Sequence, residues 1–316
     1  MLGRRPRWPG PRNLTTLWAD NTLIKLALII PTFNRKNSIL HVLESLGKQD
    51  IKDVTLSIVV VVDGSTDGTR EAVASLFPHV NIIQGDGNWW WTKSVNEGCK
   101  WALKNSADAV LLLNDDIRPD NRYFEHMLKA AEKEPHAIIG SLNITDEKEQ
   151  RIYFSGAKKV RWWLGKPQRC HPFLAPANEK LTGLHKTVVL PGRGLWIPAR
   201  VFEKTGFFDQ EALPQYKADY DFVLRAAKHN IPAFISWDAV IYTHTEKTGR
   251  GATFTEQSFS RFTRSLFHGR SRTNLIQNFI YYWRHFPRIL LPIFPFTSLI
   301  ILFRQFYLFF KDRKYR

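Results

Sequence analysis

Only two cysteines occur in 316 residues, Cys99 and Cys170, too few for a disulfide framework and without the spacing of a metal site. Both are expected to be packing residues in a reducing compartment. No apolar run follows the basic, proline- and glycine-rich start from Met1 to Arg12, so secretion is not expected, and residues 1–24 read as a flexible basic tail. The Asn-x-Thr triplets at Asn13 and Asn143 are set aside for the same reason. No GxGxxG follows the first apolar strand, which disfavours a dinucleotide site, and no Walker lysine loop occurs. The glycine-rich activated loop of a sugar-phosphate nucleotidyltransferase is missing as well. Acidic side chains are scarce: 29 stand against 45 lysines and arginines, and the resulting charge of +16 calls for an anionic partner. Nucleic acid, phosphorylated small molecules and acidic lipid all qualify.

The chain is 44% hydrophobic, enough for one sizeable core with an appendage or for two modest domains. Leu26 to Ile30 reads as a buried strand followed by a loop and a helix through Ile39, Leu40, Leu43 and Leu46. The unit repeats from Leu56 to Val62, from Val80 to Ile83 and from Ala109 to Leu113, each strand leading into a helical pattern. Such alternation predicts an α/β fold with a mostly parallel sheet, whose ligands sit at the carboxyl ends of the strands. The functional loops then begin at Pro31, Asp63, Gln84 and Asn114. Beyond Ile138 the rhythm turns to short β-like pieces, Arg151 to Phe154 and Lys186 to Leu190, before a helix from Tyr220 to Asn230. One continuous mixed sheet is the simplest account. From Gly249 the composition shifts to arginine, phenylalanine and leucine, so the domains are taken as 25–248 and 249–316.

Asn114, Asp115 and Asp116 form a cluster of oxygen ligands at the end of an apolar strand, suited to Mg²⁺ or Mn²⁺ bridging a carboxylate and a diphosphate. A helix cap explains one of them but not all three. Asp63-Gly64-Ser65-Thr66-Asp67-Gly68 offers a carboxylate to a base or a ribose, or is a plain capped turn. Three adjacent indoles, Trp89 to Trp91, cannot all bury on one helical face; they stack on sugar rings or pack in the core.

In order and spacing these loops resemble the signatures of family 2 glycosyltransferases with the GT-A fold. The likeness runs on through Gly192-Arg193-Gly194, the segment Val201 to Asp209, and Ala218-Asp219-Tyr220-Asp221-Phe222, spanning about Leu26 to His244. It implies an inverting transfer of a sugar from a nucleotide-diphosphate donor to a glycan or lipid-linked acceptor in cell-surface polysaccharide or glycolipid synthesis. Pro31, Thr32, Phe33, Asn34, Asp63, Asn88, Lys93, Asn114 and Asp115 fall at donor positions, with Asp63 matching the residue that reads the base. Asp116 matches the metal-holding carboxylate, and His244 the late histidine that completes the shell. Asp219 matches the catalytic base, while Trp90, Trp91, Gly192, Arg193, Gly194 and Asp221 fall on the acceptor side. Two positions depart from the family: Asn114 where many relatives carry aspartate, and Ala218 where a glutamate is usual.

The stretch Ile289 to Phe303 is uncharged but shorter than a spanning helix and broken by Pro292 and Pro295. Tyr281, Tyr282, Trp283, Phe286 and Phe294, with Arg284, Arg288, Arg304, Lys311, Arg313 and Lys314, are read as an interfacial element on an anionic membrane, or as a helix packed on the catalytic domain. Basic residues crowd the two ends of the chain, which argues against nucleic acid as partner. The expected location is the cytoplasmic face of the membrane, peripherally bound, with a homo-oligomer left open.

Overall fold

A computed structural model describes residues 10–52, 54–177, 181–244, 258–269 and 271–313. In chain order, α1 (Leu14–Ala19) leads to β1 (Ile24–Thr32), α2 (Lys36–Gly47), β2 (Val54–Asp63), α3 (Thr69–Leu76), β3 (Asn81–Gly85), α4 (Trp90–Lys104) and β4 (Ala109–Leu112). Next come β5 (Ile117–Pro119), α5 (Tyr123–Lys133), β6 (Ile138–Thr145), β7 (Ile152–Phe154), β8 (Ala157–Arg161), β9 (Lys166–Arg169) and β10 (Leu184–Lys186). The described chain ends with β11 (Leu195–Pro198), α6 (Ala199–Thr205), α7 (Ala218–Lys228), β12 (Ala233–Thr243), α8 (Phe259–Ser265), α9 (Leu275–His285) and α10 (Phe294–Arg313).

The main sheet runs β10-β12-β6-β11-β4-β1-β2-β3, with β5 on β12 and β7 on β6. Strands β3, β2, β1 and β4 are mutually parallel, whereas β11 lies antiparallel between β4 and β6. This reversal splits the sheet at β4 and β11 and opens the carboxyl edge where loops gather. The four predicted βα units are all present. The continuous mixed sheet of the second half is present too, but the strand read at Lys186 to Leu190 lies earlier, at Leu184–Lys186. Residues 187–190 turn inward instead: the Thr187 hydroxyl receives the amide of Ala157 and donates to Val189 O, while Leu190 packs over Gly140.

Helices cover both faces of the sheet. On one face Ile39, Val42, Leu43 and Leu46 of α2 bury at helical spacing against Leu26, Leu28 and Ile30. On the other, α4 approaches β1 so closely that a Cβ on Gly98 would lie 2.3 Å from Ile29, which makes glycine a packing requirement there. Each fully buried leucine or isoleucine side chain contributes about 1.5–3 kcal/mol, and β1 carries three in a row from Leu28 to Ile30 with no exposure.

Two expectations about the ends need correction. Residues 14–19, read within a flexible tail, form α1: Asn13 caps it, Leu14 and Leu17 are buried, and Arg12 pairs with the buried Asp108. An unpaired Asp108 would be costly in the core, which accounts for the docking of the segment. The extension after residue 258 is no separate unit either, since Tyr281, Tyr282, Phe286, Phe294 and Ile301 belong to the catalytic domain's own core. Residues 1–9, Lys314 and the proposed boundary near 248 lie outside the described residues.

Candidate active site

Asp115 and Asp116 follow the end of β4, and both are buried. Asp115 accepts from the Thr32 hydroxyl at 2.8 Å and from Arg35 at 3.0 Å. Burial raises its pKa to about 6, against the opposing pull of Arg35. Asp116 is held differently. Its Oδ2 lies 3.4 Å from Arg193 and 3.9 Å from Arg35, while its buried Oδ1 accepts no hydrogen bond. A buried carboxylate oxygen without a donor is an unmet electrostatic demand, which fits a divalent cation. His244 approaches through its backbone, whose amide donates to Asp116 O at 3.2 Å, with its Nδ1 3.4 Å from Asp146. Among the described residues no three His, Cys, Asp or Glu side chains converge as a closed metal cage. An open site that shares its cation with a diphosphate needs none.

Loop 191–194 joins the two chemical ends of the site. The Gly192 amide donates to Asp219 Oδ2 at 2.9 Å, and Arg193 reaches both Asp116 and Thr243. Gly194, at φ +71, leaves no room for a side chain, because a Cβ would stand 2.3 Å from Ser141 Oγ. Asp219 opens α7 and is half-buried; desolvation raises its pKa, and the amides of Gly192 and Tyr220 oppose the rise. A carboxylate of raised basicity, held by backbone donors, is what proton abstraction requires.

Three residues read as ligand contacts have other work. Asp63, matched to the base-reading position, accepts from the amides of Gly87, Trp89 and Trp90 at 2.8, 3.0 and 2.9 Å. Its carboxylate is committed to folding the tryptophan loop. Asn34, at φ +49, accepts from the Thr66 amide through its Oδ1, while its backbone N–H donates to Ser65 Oγ, so it ties the first loop to the second. Asp221, placed on the acceptor side, is fully buried between Arg225 at 2.8 Å, Arg284 at 2.9 Å and His285 at 2.8 Å. Despite its burial, the His285 hydrogen bond and the two guanidinium groups hold its pKa down to about 2. It fastens α7 to α9. The same two helices meet again where Lys217 bonds Asn278 and lies over the rings of Tyr281 and Tyr282.

The indoles diverge as the helical geometry demands. Trp89 lies under Lys93, with the ammonium 4.9 Å from its ring. Trp90 packs on Gly269 of the extension. Trp91 wedges against Gly192, meets Phe208 edge-on and donates to Asn114 at 3.3 Å, thereby linking the loop after β4 to loop 191–194. Pro31 is half-buried and Phe33 exposed at the same edge, and Asn88 is exposed in the loop that Asp63 organises. A cleft of about 550 Å³ is lined by Asn34, Arg35, Lys36, Asn37, Ser38 and Asp67. Arg35 was not singled out from sequence, although a cation directly after the Pro31–Asn34 loop was the available signal. Gln215, which receives the Trp91 amide at 3.0 Å, gave no signal at all.

A sheet that reverses at β4 and β11, with acidic residues at its carboxyl edge, defines a nucleotide-diphospho-sugar transferase fold of the GT-A type. Residues 27–181 match the family model of glycosyl transferase family 2, so a domain of that family makes up about half of the chain. It is 26% identical over 245 residues to the galactofuranosyltransferase GlfT2 of Mycobacterium tuberculosis, covering 69% of this chain and 37% of that protein. It is 30% identical over 142 residues to the GalNAc(5)-diNAcBac-PP-undecaprenol beta-1,3-glucosyltransferase of Campylobacter jejuni, covering 42% of each. The chain thus spans well under two thirds of these curated relatives. Among solved structures, the mannosyltransferase PcManGT from Pyrobaculum calidifontis in complex with GDP-Man and Mn²⁺ shares the fold, with a TM-score of 0.55 at 17% identity over 94% of this chain and 73% of that one.

Proposed function

We propose that this chain transfers a sugar, with inversion, from a nucleotide-diphosphate donor to a glycan or lipid-linked acceptor in cell-surface polysaccharide or glycolipid synthesis. The observation that carries the reading is the 191–194 loop, which holds a carboxylate of raised pKa by one backbone amide and sets a guanidinium against the Asp116 carboxylate. Asp219 takes the acceptor hydroxyl's proton as that oxygen attacks the anomeric carbon from the side opposite the diphosphate. Asp116, with His244, would hold Mn²⁺ or Mg²⁺, which when bound offsets the charge on the leaving diphosphate. Arg193 and Arg35 add positive charge at the same edge. Pro31, Phe33 and Asn88 are assigned to the donor side, and Trp91 and Gly192 to the acceptor side.

The relatives' names support both parts of the reading. A galactofuranosyltransferase and a glucosyltransferase of an undecaprenol-linked glycan are sugar transferases, and the second names a lipid-linked acceptor. The Mn²⁺ with GDP-Man in the solved neighbour supports a divalent cation. Membrane attachment is supported by the helical stretch Arg288–Tyr307: read from the sequence as too short and too broken to span, it is long and apolar enough to cross a bilayer by length and composition and is mostly unburied. Phe294 and Ile301 on its inner side pack in the protein core, which favours lying on the membrane. The deciding experiment incubates the protein with UDP, GDP and dTDP sugars, with and without Mn²⁺ or Mg²⁺, and measures nucleotide release. Metal-dependent release from one donor, abolished in Asp219→Asn, is the expected result; full turnover by that variant removes Asp219 from the mechanism.

A further inference from the structure

We propose that the β8–β9 hairpin is a second membrane contact, forming with α10 one composite surface that docks on an anionic lipid bilayer. The proposal rests on the membrane-bound reading above and assigns a part to a segment that the sequence did not single out. Two features of the fold meet here.

The first is the outer face of α10. Phe296, Leu299, Ile300, Phe303, Tyr307 and Phe310 are all exposed, and their spacing places them on one stripe. At 1.5 Å per residue that stripe is about 21 Å long. On the inner side Phe294 and Ile301 enter the protein core, so the helix is apolar on both faces and only one is covered. Exposed Ile276, Phe279 and Trp283 of α9 and Ile289 of the connecting 3₁₀ segment extend the apolar area. A patch of this size is an interaction surface rather than ordinary exterior.

The second is the hairpin itself, whose tip is built onto α9 and α10. The Tyr282 hydroxyl donates to Gly165 O, and Arg304 donates to Leu164 O at 3.4 Å. Gly165 sits at φ +56, with Ile301 so near that a Cβ would lie 2.6 Å from it. Trp162 turns inward onto Tyr282 and Phe286, at centroid distances of 6.5 and 6.2 Å. Its neighbour Trp163 is 53% exposed. Lys158, Lys159 and Lys166 are exposed on the same hairpin and pair with no carboxylate among the described residues.

Charge selects the occupant. The hairpin sequence from Gly156 to Cys170 contains no acid, and from Ser258 to the end there are eleven lysines and arginines against one acid, Asp312. An apolar stripe bordered by an outward tryptophan and unopposed lysines matches the boundary between acyl chains and anionic headgroups. Basic residues near such a surface each contribute several-fold in affinity, and salt screens the effect.

The full chain is sedimented with phosphatidylglycerol-containing vesicles and with pure phosphatidylcholine vesicles, beside a variant carrying Trp163→Ser, Lys158→Gln, Lys159→Gln and Lys166→Gln. All four positions are exposed, and circular dichroism with thermal unfolding checks that the fold persists. The expected result is salt-sensitive binding to the anionic vesicles that weakens roughly tenfold or more in the variant. Wild-type protein that binds while the variant binds equally well overturns the role of the hairpin and leaves the membrane reading intact. Wild-type protein that binds no vesicle overturns both. A dimer in light scattering that the same four substitutions dissolve gives the surface to a second copy and overturns the proposal.

Discussion

Asp219 and Asp221 stand two residues apart on α7, and the two sides of that helix treat them in opposite ways. Toward the 191–194 loop, Asp219 has backbone amides for company and a raised pKa. Toward α9, Asp221 has two guanidinium groups and a histidine, and its pKa is depressed to about 2. The same side chain is a carboxylate of raised pKa in one setting and a rivet in the other. The difference lies in whether cationic partners grip the carboxylate directly or backbone dipoles do, with Arg193 adding a weaker pull on Asp219.

The comparison is broken most sharply by removing each carboxylate in turn. Asp219→Asn is expected to lower turnover about 10²–10⁴-fold, the range of a lost general base, with donor affinity and thermal stability kept. Nucleotide release and a melting curve on the same sample check it. Asp221→Ala does the reverse: it removes the buried carboxylate that Arg225, Arg284 and His285 share, and is expected to cost about 3–5 kcal/mol of stability, measured by urea unfolding. Activity in that variant falls only as the folded fraction does, unless α9 also orients Asp219, in which case turnover drops in the fully folded protein.

The tryptophan loop offers a smaller effect. Asp63→Asn keeps the shape but loses the charge that three amides share, and a cost of about 1–3 kcal/mol is expected, with a change in indole fluorescence as the loop loosens. Direct base reading by Asp63 would instead weaken binding of one nucleotide and leave the fluorescence of the free protein unchanged.

Acid sharpens the contrast gradually. Burial lowers the His285 pKa below its ordinary 6.5, so the unfolded chain takes up that proton first and stability falls as pH drops below that value. Asp221 has a folded pKa below the unfolded one, so its contribution is complete above about 4 and fades as pH falls toward 2. Turnover should fade at a higher pH than the Asp221 contribution does, with a midpoint above the ordinary aspartate range, because the raised Asp219 must be ionised to act. A pH–rate profile beside a pH–stability profile separates the two.

The strands, the helices that follow β1 to β4 and the loops that carry chemistry were legible because burial on both faces writes continuous apolar runs such as Leu26 to Ile30 and Val59 to Val62. Asp116 and Asp219 were legible as residues of interest from family spacing. The unsatisfied oxygen of the one and the raised pKa of the other were not. Asp63 and Asp221 show the limit most plainly: each sits in the right motif, yet its partners come from far along the chain, 24 to 27 residues for Asp63 and 63 to 64 for the α9 contacts of Asp221.

The C-terminal segment divides the same way. Its sequence declared an amphipathic, cationic element, and the structure keeps that character but exchanges the residues. Tyr281, Tyr282, Phe286 and Phe294 face the core, Arg284 is spent on Asp209 and Asp221, and of the five aromatics named only Trp283 is exposed. By itself the sequence determined the period of the β1 to β4 units and their helices, the family resemblance and the identity of the acidic loops, because those depend on neighbours a few residues away. Only the tertiary structure decided which carboxylates meet cations, amides or nothing, because electrostatic environment depends on what long-range packing brings within a few ångströms.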